Sequence, residues 1–213
     1  MKKWIRMKYT KWYNILKDGI AMNNPIAIAV LGICSALAVT NRVENAIAMG
    51  IGVTFVVMMS SAMISLLRNY IPAKVRMVTY MVVISTFVII FQFALQAYFP
   101  AIADSLDAYV GLIITNCIVM GRAEAFAVKN PARYSLIDGF ASGMGYMLVL
   151  IAVASVREIL AFGTFLNFQV VGDGWINWVS MAMAPGGFFV LGLMIWGIRE
   201  LTKNFEGQVG EVE

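Results

Sequence analysis

No histidine occurs in this sequence, and cysteine occurs only twice, at Cys34 and Cys117. Without histidine, zinc sites of mixed nitrogen and sulfur ligation and histidine-held haem are excluded. There is no CxxC pair, and no charged residue stands within four positions of either thiol. A thiol–disulfide enzyme relies on accessible thiolates stabilised by basic neighbours or by such a pair, so the pattern speaks against one. Charge is scarce too. Only 13% of residues are Asp, Glu, Lys or Arg, against 61% hydrophobic, where soluble domains carry about 25% charged residues. Also missing are the glycine fingerprint of a dinucleotide-binding turn, an evident flavin-attachment threonine, and the alternating pattern of an outer-membrane barrel.

What is present is a set of charge-free apolar runs: residues 19–41, 45–67, 77–103, 108–121, 139–156 and 174–198. A spanning helix takes about 20 apolar residues. The runs therefore predict an all-α integral membrane protein with six transmembrane helices, the fourth of them short. No carboxylate lies inside a run, which argues against a stand-alone proton-coupled carrier; sodium can be bound by hydroxyls and carbonyls alone.

The basic residues predict the orientation. With the N-terminus in the cytoplasm, the inner segments hold Lys2, Lys3, Arg6, Lys8, Lys11 and Lys17, then Arg68, Lys74 and Arg76, then Arg122, Lys129 and Arg133, then Arg199 and Lys203. The outer segments hold only Arg42 and Arg157. This is a strong positive-inside bias, with both termini cytoplasmic. The net charge of +4 thus reflects membrane orientation and does not point to nucleic acid. Residues 1–20 form a basic N-terminal segment, read either as an orienting tail or as an interfacial helix with Trp4, Trp12 and Tyr13 at headgroup level against anionic lipid. They lack the apolar core and cleavage site of a signal peptide.

Two stretches resemble each other. Aligned on Arg68 and Arg157, Gly50 falls on Gly139 and Met58 on Met147. Each half has an odd number of crossings, so the second enters from the opposite side. This predicts a 3+3 inverted repeat: residues 21–103, then 104–200, followed by a tail at 201–213. The first segment of each half carries a cysteine and is atypical. Asn23-Asn24-Pro25 interrupts one, and residues 108–121 are too short for the roughly 30 Å hydrocarbon core. Both are expected to be half-helices. Paired short or broken segments at matching positions point to a site at the membrane midplane, and Cys34 and Cys117 both reach that depth.

Several readings of the two thiols follow from the residues. They are small buried hydrophobes; or Cys117 with Met120, at i and i+3, offers soft ligands for copper(I); or they ligate an iron–sulfur cluster, which takes four thiolates and would need two more from a second chain.

NNPIAIAVLGICSALAVTN, SLLRNYIPAKVR, GLIITNCIVMGRAEAFA, SLIDGF and SVREIL resemble the D-type membrane subunits of the bacterial sodium-translocating NADH:quinone oxidoreductase, over nearly the whole chain after about residue 20. The E-type component of the Rnf-type ferredoxin:NAD oxidoreductase carries a related motif, typically with proline after the first cysteine. Ser35 stands there in this chain, which favours the quinone-reducing complex. The alternatives are that Rnf-type component, or a non-redox transporter with inverted repeats.

The resemblance implies an inner-membrane, multi-pass subunit of a sodium-exporting translocase, with no complete active site of its own. It implies that Cys34 and Cys117 ligate iron of a [2Fe–2S] cluster shared with the homologous E-type sister subunit, in opposite orientation, alongside the A-, B-, C- and F-type components. NADH, FAD, FMN, riboflavin and quinone are then bound by the other components, and the cluster relays electrons across the membrane, coupled to Na+ export. Gly32 and Gly121 are candidates for close backbone approach, or for plain helix packing. Thr115 and Asn116 are expected to satisfy broken backbone, with hydrogen bonds to cluster sulfurs as the other reading. Arg122 and Glu124 are expected to pair with each other at the cytoplasmic surface.

Overall fold

The computed structural model describes residues 31–98, 109, 111–165, 168–169 and 179–210. The basic segment 1–20 and the Asn23-Asn24-Pro25 break lie outside the described residues.

The described chain is built of helices α1 (Ile33–Val39), α2 (Val43–Leu67), α3 (Arg76–Tyr98), α4 (Cys117–Arg122), α5 (Ala132–Phe162), α6 (Val179–Ala182) and α7 (Ala184–Gly210). A π-helical turn, Ala123–Ala127, continues α4. One small antiparallel ladder, Thr164–Phe165 against Phe168–Gln169, follows α5. Among the described residues, α2, α3 and α5 are long and apolar enough to cross a membrane, and Ala184–Ile198 within α7 is a shorter apolar stretch.

Local chemistry sets the element ends. Pro131, extended at φ −69° and ψ 152°, precedes α5, where its missing N–H is no loss. Gly163, in the left-handed region at φ 67°, closes α5 by donating its N–H to the Ile159 carbonyl at 3.0 Å. Helix α2 has no side-chain cap from its own N-cap residue. Its first N–H, of Val43, donates instead to Glu158 Oε2 on α5 at 2.8 Å.

The core is the antiparallel pair α2 and α5. Helix α5 presents Gly139 and Gly143, one turn apart, to α2. A Cβ on Gly139 would lie 2.9 Å from Met58 Cα, and one on Gly143 2.7 Å from Thr54 Cα. From the other side, a Cβ on Gly50 would meet the Met147 side chain at 2.5 Å. Small residues spaced by four let helix backbones approach closely, which is how helices pack where lipid offers no hydrophobic drive. Helix α3 lies outside this pair and touches it through Phe91, whose ring lies 6.0 Å from that of Phe55. Its outer face is apolar and exposed, with Val78, Val82, Ile89, Ile90 and Phe93.

Helix α5 has 31 residues, about 46 Å at 1.5 Å per residue, and overshoots a hydrocarbon core of about 30 Å. The excess carries charge into the fold. Asp138 near one end, and Arg157 and Glu158 near the other, are all buried. Arg157, one of the two basic residues counted on the outer side, is 1% exposed within the helix. Arg157 Nη1 donates to the Leu37 carbonyl at 3.1 Å and to Thr40 Oγ1 at 2.6 Å, Nε to the Met181 carbonyl and Nη2 to the Met183 carbonyl, both at 3.2 Å. One guanidinium thus ties the C-terminal end of α1 to the connection between α6 and α7.

Candidate site at two broken helices

Each cysteine stands at the start of a helix, Cys117 as the first residue of α4 and Cys34 as the second of α1. Residues 111–114 are helical, the helix stops at 115–116, and α4 restarts at Cys117. Asn116, extended at φ −68° and ψ 119°, caps the restart: its Oδ1 accepts from the Ile118 N–H at 3.1 Å. In the first half of the chain, Gly32 precedes α1 at φ 81° and ψ 17°. This left-handed conformation strains an L-residue with a side chain but not glycine. Space is equally restrictive, since a Cβ there would lie 2.7 Å from Ile118 Cδ1 and 3.1 Å from Tyr146 Cε2. Gly32 therefore sets the start of α1 at Ile33, one residue before Cys34.

The two helix starts meet. The Gly32 backbone N–H donates to Cys117 Sγ at 2.9 Å. Around this contact runs a buried polar knot. Ser35 Oγ lies 3.0 Å from the Gly32 carbonyl and 2.6 Å from the Tyr146 hydroxyl, and Asn116 Nδ2 donates to Ser35 Oγ at 3.2 Å. Cys34 is exposed, Cys117 half-buried, and both are free thiols. Among the described residues, no group of three or more His, Cys, Asp or Glu side chains gathers for a metal. This chain thus offers two soft donors on touching segments, one reached by a backbone donor and one open to a neighbour. That suits half of a four-thiolate site.

Tyr146 gives the site its depth. It lies eight residues from Asp138 and eleven from Arg157 along α5, about 12 and 16 Å. Helix α1 runs from the site toward the Arg157 end. Helix α4 runs toward the Asp138 end, where Arg122 pairs with Asp138 through Nε at 3.0 Å and through Nη2.

The structure corrects the expectation that Arg122 pairs with Glu124. Residues two apart on a helix do not face each other. Arg122 turns to α5, and Glu124 turns to α3, accepting from Tyr80 Oη at 2.7 Å and Arg76 Nη1 at 2.9 Å. The Tyr80 hydrogen bond, opposed by burial and reinforced by Arg76 and Lys129, holds the Glu124 carboxyl below its ordinary value. A depressed carboxyl stabilises the fold above its unfolded pKa, and that contribution fades as pH falls through the folded value. Glu124 is 42% exposed, so solvent screens the effect.

Thr115 and Asn116 do as expected. Thr115 Oγ1 donates to the Gly111 carbonyl at 3.1 Å and Asn116 caps α4, both satisfying broken backbone. The donor that does reach a sulfur is the Gly32 N–H, whose direction no sequence pattern reveals. Tyr146 carried no sequence signal at all. Ser35, next to Cys34, stood out only as the residue where related motifs carry proline.

The sequence profile of the family described as "Rnf-Nqr subunit, membrane protein" matches residues 12–195. A relative from Chlamydia abortus is 47% identical over 89% of this chain and 93% of its own length. One from Neisseria gonorrhoeae is 50% identical over 83% and 88%, and one from Pasteurella multocida 46% over 91% and 96%. All three are named as the D-type subunit of Na(+)-translocating NADH-quinone reductase. A match spanning both cysteine breaks and α5 leaves one assignment: this chain belongs to the Rnf-Nqr family of membrane-protein subunits.

Proposed function

We propose that this chain is the D-type membrane subunit of a sodium-translocating NADH:quinone reductase in the inner membrane. In this reading Cys34 and Cys117 supply two of the four thiolates of a [2Fe–2S] cluster shared with a homologous sister subunit. When bound, the cluster offers a one-electron relay at the middle of the membrane. This chain's own residues hold the two sulfurs together, present one of them to the partner, and keep the surroundings ordered. The observation that carries the reading is the 2.9 Å contact from Gly32 N–H to Cys117 Sγ. It joins the two broken segments at the level of Tyr146, between the polar ends of α5. The relatives' names support the complex, and Ser35 favours the quinone-reducing type over the Rnf type.

The inverted repeat is part of the same proposal. It is supported by reciprocal packing: Met147 covers Gly50, and Met58 covers Gly139, which are the residues the repeat makes equivalent. Helices α1 and α4 also run in opposite directions from the contact point, as a repeat turned over in the membrane requires. The six-span arrangement with both termini cytoplasmic predicts that a cytoplasm-active reporter fused at residue 213 works and a periplasm-active one does not. The reverse result would remove the six-span model and the inverted repeat together.

Two thiolates cannot complete a four-thiolate centre. The purified complex should therefore contain iron and acid-labile sulfide at the midplane site, with an electron paramagnetic resonance signal. The same chain produced without its sister subunit should contain none in stoichiometric amount. A full centre in the isolated chain would mean that it pairs with itself, and a complex without midplane iron would end the cluster reading.

A further inference from the structure

Ser35, Tyr146 and Asn116 are buried, and their hydrogen bonds converge on Gly32, the residue whose N–H reaches the sulfur of Cys117. Their hydrogen bonds have one consistent assignment. The Asn116 amide donates to Ser35 Oγ at 3.2 Å. Ser35 Oγ can give its single proton to the Gly32 carbonyl, 3.0 Å away. The Tyr146 hydroxyl, 2.6 Å from Ser35 Oγ, is then the donor in that pair. A hydroxyl has one proton and two lone pairs, so Ser35 is fully used: it accepts from Tyr146 and Asn116 and donates to Gly32. The Gly32 carbonyl also receives the Ala36 N–H at 3.0 Å. Gly32 has no Cβ and sits in a conformation that many residues avoid, so its orientation depends on these anchors. Asn116, the residue before Cys117, adds its cap to Ile118 N–H. The knot therefore clamps the Gly32–Ile33 peptide, next to the one whose N–H reaches the sulfur, on one side and the Cys117 segment on the other.

We propose that Tyr146 and Ser35 are positioning residues that set the Gly32 N–H to Cys117 Sγ hydrogen bond, and through it the reduction potential of the metal centre this sulfur helps to hold. The inference rests on the cluster reading above. Hydrogen bonds to ligand sulfurs are among the factors that set such potentials. An N–H aimed at a thiolate favours the more negative, reduced form, so loosening it lowers the potential. Tyr146→Phe removes one oxygen from a ring whose packing stays, and leaves Ser35 with an unfilled lone pair. Ser35→Ala removes the hub and strands the Tyr146 hydroxyl and the Asn116 amide.

The test is a potentiometric titration of the midplane centre by electron paramagnetic resonance in the purified whole complex. Tyr146→Phe should shift its one-electron equilibrium several-fold toward the oxidised form, and Ser35→Ala by roughly ten-fold, which is about 59 mV. Signal intensity and iron content should stay at the wild-type level. Thr79→Val serves as the control, because Thr79 bonds only the Val75 carbonyl on an exposed face, and its potential should match wild type. Full cluster content with unshifted potentials in both variants would overturn the positioning role while leaving the cluster reading intact. No midplane signal in the wild-type complex would overturn both. If Tyr146→Phe does not assemble, Ser35→Ala, which only shortens a side chain, decides the matter.

Discussion

In the assembled complex, Cys117→Ser should lower NADH-driven quinone reduction and sodium transport on the order of 100-fold or more, and Cys34→Ser should do the same. Serine differs from cysteine by one atom and little volume. As packing residues both would tolerate the change: Cys34 is exposed, and substitutions at such positions usually stay within about 0.5 kcal/mol. As ligands both would fail, because a hydroxyl is a poor replacement for a soft thiolate on iron. NADH oxidation by an artificial acceptor that takes electrons at the point of NADH entry should persist, which separates loss of the relay from loss of the enzyme. Met120→Leu is the companion measurement. It should be near neutral if Met120 only packs, and damaging if a cysteine–methionine copper site were present. Each variant is checked for assembly by native gel. Full quinone reductase activity in assembled Cys117→Ser complex would return that thiol to a packing role.

The second large effect is expected at Arg157. Among its partners in the described residues are four acceptors, the Leu37, Met181 and Met183 carbonyls and Thr40 Oγ1. Arg157→Met keeps the apolar stem and removes every donor. At about 1 kcal/mol or more for each buried acceptor left unmatched, the loss is on the order of 4 kcal/mol, a large part of the stability of an ordinary domain. It falls on the end of α1, six residues from Cys34, so the first consequence should be release of that helix. We expect a lower thermal midpoint of the purified complex and faster alkylation of Cys34 in complex treated with an iron chelator. Arg68→Met is the comparison. Arg68 is the residue aligned with Arg157 in the proposed repeat, but it is exposed, and its loss should leave the midpoint almost unchanged. Equal effects at the two arginines would contradict the anchoring role of Arg157.

The sequence alone was enough for the membrane class and for the short, atypical segment that carries Cys117, which breaks at Thr115 and Asn116. Those features rest on local, additive quantities: hydropathy summed over about 20 residues, a missing cap, a shortened run. The alignment of Gly50 with Gly139 and of Met58 with Met147 could be read from spacing in a one-dimensional string, but that Met147 covers Gly50 and Met58 covers Gly139 came only from the fold. Tertiary structure alone decided which side chains complete the site. Ser35 meets Tyr146 across 111 residues, Arg157 meets Leu37 across 120, and Glu124 meets Arg76 across 48. Nothing near any of these residues in the chain encodes its partner. Arg122 and Glu124 make the point in detail: close neighbours in sequence, they were expected to pair, but helical geometry sends them to different helices. A buried polar group must find a partner or lose about 1–3 kcal/mol, and which partner it finds depends on which helices the packing of Gly139 and Gly143 against α2 allows to adjoin.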